Sequence, residues 1–436
     1  MRKRIIIFFL TGVFMVMYIT GCQTAVESGD PISAIQVEEM PLINPRSEGE
    51  DASASAVAQG ANDFAFRLSA ELVQDVGDEN FVVSPYSVWL PLAALSNATT
   101  EVYQQELLMA LGISDINIED VNQAAARMLF DLMNEQEREF DDYHNPLRIA
   151  NAIFVDHSRT TRADFAQTFM DFYRGSVLNV DFQSSDAVDA VNAWASDNTD
   201  GLITDLVQEF NPDTVGAIVN AIYFSDSWSW EFNPERTIEE TFYSPSGETT
   251  ASFMVRTGRD QRYFEDDSMQ AIRLSFQTGG GMYILLPRSG DAVGLLSSMT
   301  NESFEYIQSS ATLHEGRLLL PRFSIESTLE ELAETLEMLG VPLFDENAAP
   351  LTGGLFYEDT YVWLASALQK AMIEVDEQGA TAAAVTLMEL EDEDSDEPEP
   401  QEPFEMICNS PFVFILYRRT YDGGNQILFT GVVNQP

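Results

Sequence analysis

Residues 377–390, the run EQGATAAAVTLMEL, constrain this chain more than any other stretch. They carry the alternation of a β-strand without an ordinary place in a sheet. The run before them, 362–376 (VWLASALQKAMIEVD), is apolar enough for a long buried strand, and the run after them, EDEDSDEPEPQEP, is an acidic, proline-bearing tip. Ala380, Ala382, Ala384, Thr386, Met388 and Leu390 fall on one side of a period-two pattern, with Thr381, Ala383, Val385, Leu387 and Glu389 on the other. The smallest residues come first. Such a segment is suited to entering a sheet that already exists, because alanine asks least of a gap between strands. A proline or an inward charge would stop it, and neither occurs before Glu389, which points outward. Gly379 supplies a hinge, since glycine absorbs a large change in φ and ψ.

The chain begins with an export signal. Arg2, Lys3 and Arg4 precede an apolar stretch over 5–18, which ends at Ile19-Thr20-Gly21-Cys22. A small residue directly before that cysteine resembles a bacterial lipobox, which makes Cys22 the expected site of lipidation and places the protein outside the cytoplasm, on a membrane. Ordinary secretion or an uncleaved anchor is the alternative, although the stretch is short for a full span. Beyond Cys22 only Cys408 remains, in the apolar run FEMICNSPFVF, where it reads as a small buried hydrophobe. His144, His157 and His314 show no ligand spacing, so neither a metal nor a cofactor is expected.

Acidic residues number 71 against 22 basic ones, a net charge of −49. That excess argues against nucleic acid or heparin-like polyanions as partners. Lysine occurs only at Lys3 and Lys370. Acid excess with lysine nearly absent suggests a salt-rich habitat, where a Debye length of about 3 Å at ~1 M salt screens the repulsion. Thermal midpoints that fail to rise between low and molar salt would count against that reading.

Residues 23–57, rich in Ser, Ala, Glu and Pro, read as a flexible acidic tether ahead of a folded body over 58–436. The helical pattern NDFAFRLSAEL follows with Asn62 or Asp63 as its cap, then Ser84-Pro85 opens a second helix. Helical spacing continues to about residue 137. Strands are expected at 147–156, 216–224 and 281–287, helices at 162–172, 185–197 and near 328–339. Gly279-Gly280-Gly281 reads as a turn leading into a strand. The runs PFVFILYRR and QILFTGVV, joined by Asp422-Gly423-Gly424-Asn425, form a hairpin. Helices early and strands late indicate one α+β domain.

Several blocks, in order, resemble the serpins: NFVVSPYS (80–87), ANAIFV (150–155), NAWASDNTDGLI (192–203), VNAIYFSDSWSWEF (219–232) with Thr237, MYILLP (282–287), LPRFSI (320–325), EVDEQGATAAAV (374–385) and PFVFIL (411–416). The resemblance implies three β-sheets, about nine helices and an exposed reactive-centre loop over about 377–403. It also implies suicide inhibition of a serine or cysteine endopeptidase. The protease cleaves the loop and is held as an acyl-enzyme while the loop inserts as a new central strand. The protease's oxyanion hole is thereby distorted, and one lost oxyanion donor alone slows such chemistry by about 10²–10³. Glu377, Gly379, Ala380, Thr381, Ala382, Ala383 and Ala384 match the hinge. Ser84, Ser87, Asn220, Gln369 and Trp228 match the region where the central strands part. Gln369 stands where the family usually has histidine, so the opening there is not expected to titrate.

Spacing from Glu377 places the scissile bond at Glu393–Asp394, while spacing back from Pro411 places it near Pro400, because this loop is longer than usual. Cuts after Leu390 or Met388 are further alternatives. No Lys or Arg occurs between Lys370 and Arg418, so the target is expected to prefer acidic or apolar residues. No GxSxG, HExxH, SxxK or phosphate-cradling loop suggests an enzyme. A monomeric inhibitor that forms a covalent complex with a protease is the expectation, with a non-inhibitory binding or surface protein of the same fold as the alternative.

Overall fold

A computed structural model of the protein describes residues 52–133, 147–211, 213–329, 332–357, 361–380, 403–420 and 424–436. Nine α-helices and three hydrogen-bonded sheets form among the described residues, as an α+β arrangement. The helices are α1 (Ala52–Leu72), α2 (Pro85–Leu95), α3 (Glu101–Ala110), α4 (Ile118–Met133), α5 (Ala163–Tyr173), α6 (Asp186–Asn198), α7 (Ala292–Ser298), α8 (Asn301–Ser310) and α9 (Leu332–Met338).

The largest sheet runs in the order β1 (Phe81–Val83), β16 (Asn425–Val433), β15 (Phe412–Arg419), β9 (Gly281–Pro287), β8 (Met269–Ser275), β7 (Gly247–Glu265), β10 (Thr312–Pro321) and β14 (Phe404–Ile407), with β6 (Ile238–Ser244) paired to β7. Its middle strands are continuous apolar runs because both faces are covered: every residue of β9 is buried, and α1 and α2 pack against β16. A second sheet holds β11 (Phe323–Leu329), β12 (Gln369–Val375), β13 (Gly379–Ala380) and β5 (Asp226–Ser227). A third holds β3 (Gly175–Val180), β2 (Leu147–Asp156) and β4 (Gly216–Phe224). No described helix is long and apolar enough to cross a membrane.

The expected strands at 147–156, 216–224 and 281–287 form with those bounds. So does the closing hairpin, in which the Thr420 N–H donates to the Gly424 carbonyl at 2.9 Å across the turn. Gly280, at φ +88°, makes the turn before β9, where an added Cβ would lie 2.3 Å from the Tyr417 carbonyl oxygen.

Four expectations need correction. The tether does not extend to residue 57, because α1 begins at Ala52 and buries Ala54, Val57, Ala61, Phe64, Ala65 and Leu68. Alanines supply the first part of that buried face, so hydropathy alone hides its 3.6-residue period. Asn62 is therefore inside the helix rather than its cap, and it binds β16 instead: Nδ2 donates to the Asn425 carbonyl at 2.7 Å, and Oδ1 accepts from the Ile427 N–H at 3.0 Å. The long strand over 362–376 shortens to β12, because the chain before it pairs with loops, Leu364 N–H to the Leu343 carbonyl and Val362 N–H to Thr352 Oγ1. Finally, the β-rich half holds α7 and α8 as well as α9. Asp291 caps α7, and Thr300 with Ser303 forms a capping box on α8.

A parted sheet and its hinge

The second and third sheets meet at two strands that face each other, β4 and β12. Above β4, after a break at Ser225, the chain continues as β5. There the hinge is seated as a strand, with Gly379 opposite Ser227 and Ala380 opposite Asp226 on one side, and Ala380 opposite Val375 of β12 on the other. Below that point no ladder joins β4 to β12 among the described residues. A cavity of about 620 Å³ lies there, lined by Ile218, Asn220 and Ile222 of β4 and by Gln369, Ala371 and Ile373 of β12. Among the described residues, β4 and β12 thus border one space with no ladder between them. A single added strand would satisfy both.

The first turn of α2 ties the two sides of this slot together. The Ser84 N–H donates to Gln369 Oε1 at 2.9 Å, and Gln369 Nε2 donates to the Ser84 carbonyl at 2.8 Å. One amide thus satisfies both backbone polar groups of Ser84, which no titrating side chain is needed to do. Ser84 also precedes Pro85 at the start of the helix, although its hydroxyl donates to the Leu428 carbonyl at 2.9 Å rather than capping α2. One turn on, Ser87 hydrogen-bonds Asn220 of β4. Asn220 Nδ2 in turn donates to Asn151 Oδ1 at 2.7 Å, and Asn151 Nδ2 to the Tyr173 carbonyl at 2.7 Å.

At the top, Trp228 is fully buried, stacked on Phe276 at 4.7 Å. It is more than packing. Its N–H donates to the Gln378 carbonyl at 2.9 Å and its Nε1 to the Asp376 carbonyl at 3.0 Å, so it grips both ends of the hinge turn. Asp376 closes that turn by accepting from the Gln378 N–H at 2.8 Å and the Gly379 N–H at 3.2 Å. Glu377 is 4% exposed. Arg322 Nε and Nη2 donate to its carboxylate at 2.6–3.0 Å, and Thr237 Oγ1 adds a third donor. Burial alone would push the Glu377 carboxyl up, but these hydrogen bonds outweigh it and hold it below its ordinary value.

Gly379 is required by proximity: a Cβ there would sit 2.1 Å from the Asp226 carbonyl oxygen and 2.7 Å from Ser227 Cα. Beside it, burial pushes the Asp226 carboxyl up to about 6, partly offset by Thr278 and Arg418. Lower in the slot, Lys370 of β12 reaches Asp205 at 2.6 Å and Glu326 of β11 at 2.7 Å, with its side chain 11% exposed. Asp205 belongs to the segment after α6, which Asn192 of that helix holds through the Val207 backbone. The lysine therefore links the α6 side of the slot to the β12 side.

Sequence reading brought Glu377, Gly379, Ala380, Ser84, Ser87, Asn220, Gln369 and Trp228 to this one region, and the structure gathers all of them around the slot. Thr381, Ala382, Ala383, Ala384, Met388, Leu390, Glu393, Asp394 and Pro400, like Cys22, lie outside the described residues. Arg322, Lys370 and Asp205 carried no sequence signal for their roles, because their partners are distant in the chain. Cys408 is buried and free, and burial pushes its thiol up. The structure also brings His157 together with Asp156 and Asp181, with ligand atoms within 4.8 Å of one another, which linear spacing did not suggest. The Asp156 carboxylate is already committed to Ser158 and to the Phe182 N–H.

Among the described residues, β4 and β12 flank a slot about one strand wide, with a glycine hinge seated at its mouth. A profile of the family described as "Serpin (serine protease inhibitor)" matches residues 59–436, and the chain belongs to that family. Antichymotrypsin-2 of Bombyx mori is 30% identical over 389 residues, covering 87% of this chain and 98% of its own. The structure of Serpin48 from the insect Tenebrio molitor is 26% identical at a TM-score of 0.72, covering 88% of this chain and 98% of its own. Human thyroxine-binding globulin complexed with thyroxine, 22% identical, has the same fold at a TM-score of 0.74, covering 88% of this chain and 100% of its own.

Proposed function

We propose that this serpin inhibits a serine or cysteine endopeptidase by trapping it as an acyl-enzyme, with the cleaved loop taken into the slot between β4 and β12. The observation that carries this reading is the seated hinge: Gly379 and Ala380 already occupy the strand position at the top, directly above the space between β4 and β12, which no ladder joins among the described residues. The Thr-Ala-Ala-Ala run that follows has the small side chains such a space would have to take. The native state is then a kinetic trap that gains a strand once the loop is cut. The reactive bond is proposed at Glu393–Asp394, with Leu390, Met388 and Pro400 as alternatives, and the target prefers acidic or apolar residues. The protein is exported, monomeric and lipid-anchored through Cys22 at the outer face of a membrane, as a bacterial lipoprotein is.

The test mixes the protein from residue 52 onward with glutamyl-endopeptidase, elastase, subtilisin and chymotrypsin types. A complex that survives a denaturing gel is expected, and mass spectrometry of it locates the bond. Clean cleavage between 386 and 402, with no complex and no gain in thermal stability, overturns the inhibitory reading. The alternative is then a non-inhibitory binding protein, a role for which the family's thyroxine-binding globulin gives the precedent. For the anchor, full-length protein should partition with membranes and Cys22→Ala should release it.

A further inference from the structure

Six arginines in this acid-rich chain sit against a carboxylate. Arg148, Arg162, Arg259, Arg288, Arg317 and Arg322 each have an Asp or Glu oxygen within 3.7 Å. Arg262, Arg273 and Arg419 are among those without an ion-pair partner among the described residues, and these three lie together.

Strand register puts them on one face of the large sheet. Arg262 and Arg273 flank the Tyr263–Ile272 pair on adjoining strands. Arg273 lies opposite Tyr283, and Tyr283 opposite Ile415, from which Tyr417 and Arg419 follow at a period of two. Arg419 in turn lies opposite Asn425. Directly opposed antiparallel residues share a face. The side chains agree: the Arg273 guanidinium is 6.0 Å from the Tyr417 ring centroid, and Tyr417 is 5.9 Å from Tyr283. The last turn of α8 closes over this row. Arg262 Nη1 donates to the Ala311 carbonyl at 3.4 Å, and Asn425 Nδ2 donates to Gln308 Oε1 at 3.1 Å.

Among the described residues, three polar atoms here are buried without a partner, the donors Arg273 Nε and Gln308 Nε2 and the acceptor Asn425 Oδ1. Buried polar atoms of this kind are few in folded proteins, and several in one place ask for a ligand. Burial pushes the Tyr283 phenol up to about 12, while Arg273, Arg262 and Arg419 all draw it back, so the three charges are felt at one spot.

We propose that Arg262, Arg273 and Arg419, with Gln308 and Asn425, bind a small oxyanion that also carries a hydroxyl, such as hydrogen phosphate or a hydroxycarboxylate. Guanidinium groups match such oxygens with paired N–H donors. The Gln308 amide supplies a further donor, and the unmet Asn425 oxygen calls for an O–H on the ligand. The site is remote in register from the slot between β4 and β12, and it bridges α8 to the sheet, so occupancy would stiffen that junction.

Calorimetric titration with inorganic phosphate and with citrate, at constant ionic strength in sodium chloride, tests this directly. Saturable binding of one of them is expected, and which one binds distinguishes the phosphate from the carboxylate source. Arg262→Gln and Arg419→Gln alter exposed side chains, and their unchanged thermal midpoints without ligand would show that they fold. Each should weaken binding by about 10- to 100-fold, the loss of one hydrogen bond to a charged group. No heat beyond dilution with either anion, or equal affinity in the variants, overturns the proposal. Sulfate, which carries no hydroxyl at neutral pH, should bind more weakly than phosphate, and equal affinity overturns the assignment of Asn425.

Discussion

Replacing Gly379 with alanine probes the hinge at its tightest point. The added Cβ would lie 2.1 Å from the Asp226 carbonyl oxygen, 2.7 Å from Ser227 Cα and 3.0 Å from the Asp226 carbonyl carbon. All three are backbone atoms of β5, so no side-chain rotation relieves the contact. Either β5 moves away from β12, or the hinge leaves its place between them. Overpacking of this kind costs about 1–3 kcal/mol. If that cost falls on the step in which the cut loop enters the slot, insertion slows by about 5- to 150-fold. Trp228 makes the step visible, because its indole is stacked on Phe276 and bonded to the Asp376 carbonyl beside the hinge. After a protease nick in the loop, stopped-flow tryptophan fluorescence gives the insertion rate, and the gain in thermal midpoint reports its completion. The variant should insert more slowly and release more free protease as cleaved product. An insertion rate within twofold of the parent, with the same partition between complex and product, would refute the steric argument.

Gln369→Leu keeps much of the side-chain volume but strands both the N–H and the carbonyl of Ser84. A loss of about 2–4 kcal/mol is expected in chemical denaturation, from two buried groups left unpaired. Glu377 has a lowered pKa, so its contribution to stability is complete above its unfolded value and is lost as pH falls through the folded one. Glu377→Gln should flatten that acid limb of a stability–pH curve. Asp226 behaves with the opposite sign, since a carboxyl raised to about 6 makes the folded state more stable as pH falls from 7 toward 4. In Asp226→Asn that rise should vanish, and a surviving rise would assign it elsewhere. Lys370→Met removes the link from β12 to Asp205 and Glu326, and should speed insertion after cleavage without changing the bond cut, as read by the same fluorescence trace.

Strands with β-branched or aromatic alternation, 147–156 and 216–224, were legible because hydropathy and periodicity agree there. The start of α1 was not, since its inward residues are alanines and carry little hydropathic contrast. Capping chemistry at Asp291 and at Thr300 with Ser303 was present in the sequence of α7 and α8 but was outweighed by the β-rich surroundings. Site residues joined by the hinge motif were found as a group, whereas Arg322 was not, because it meets Glu377 across 55 residues of chain. The parting of β4 from β12 has no local signature at all. Each strand looks complete in sequence, and only their mutual placement leaves them without a ladder between them among the described residues.

Those edges do not discriminate by origin. Any extended segment of small residues with free backbone donors and acceptors can complete the two ladders, including the alanine run of a neighbouring copy. The contest is one of effective concentration: covalent attachment can hold the protein's own loop at about millimolar levels, far above a dilute neighbour. Crowding on a surface, or warming that loosens the α2 bridge across the slot, shifts the odds toward the neighbour and turns one molecule's unfinished sheet into the first link of a chain.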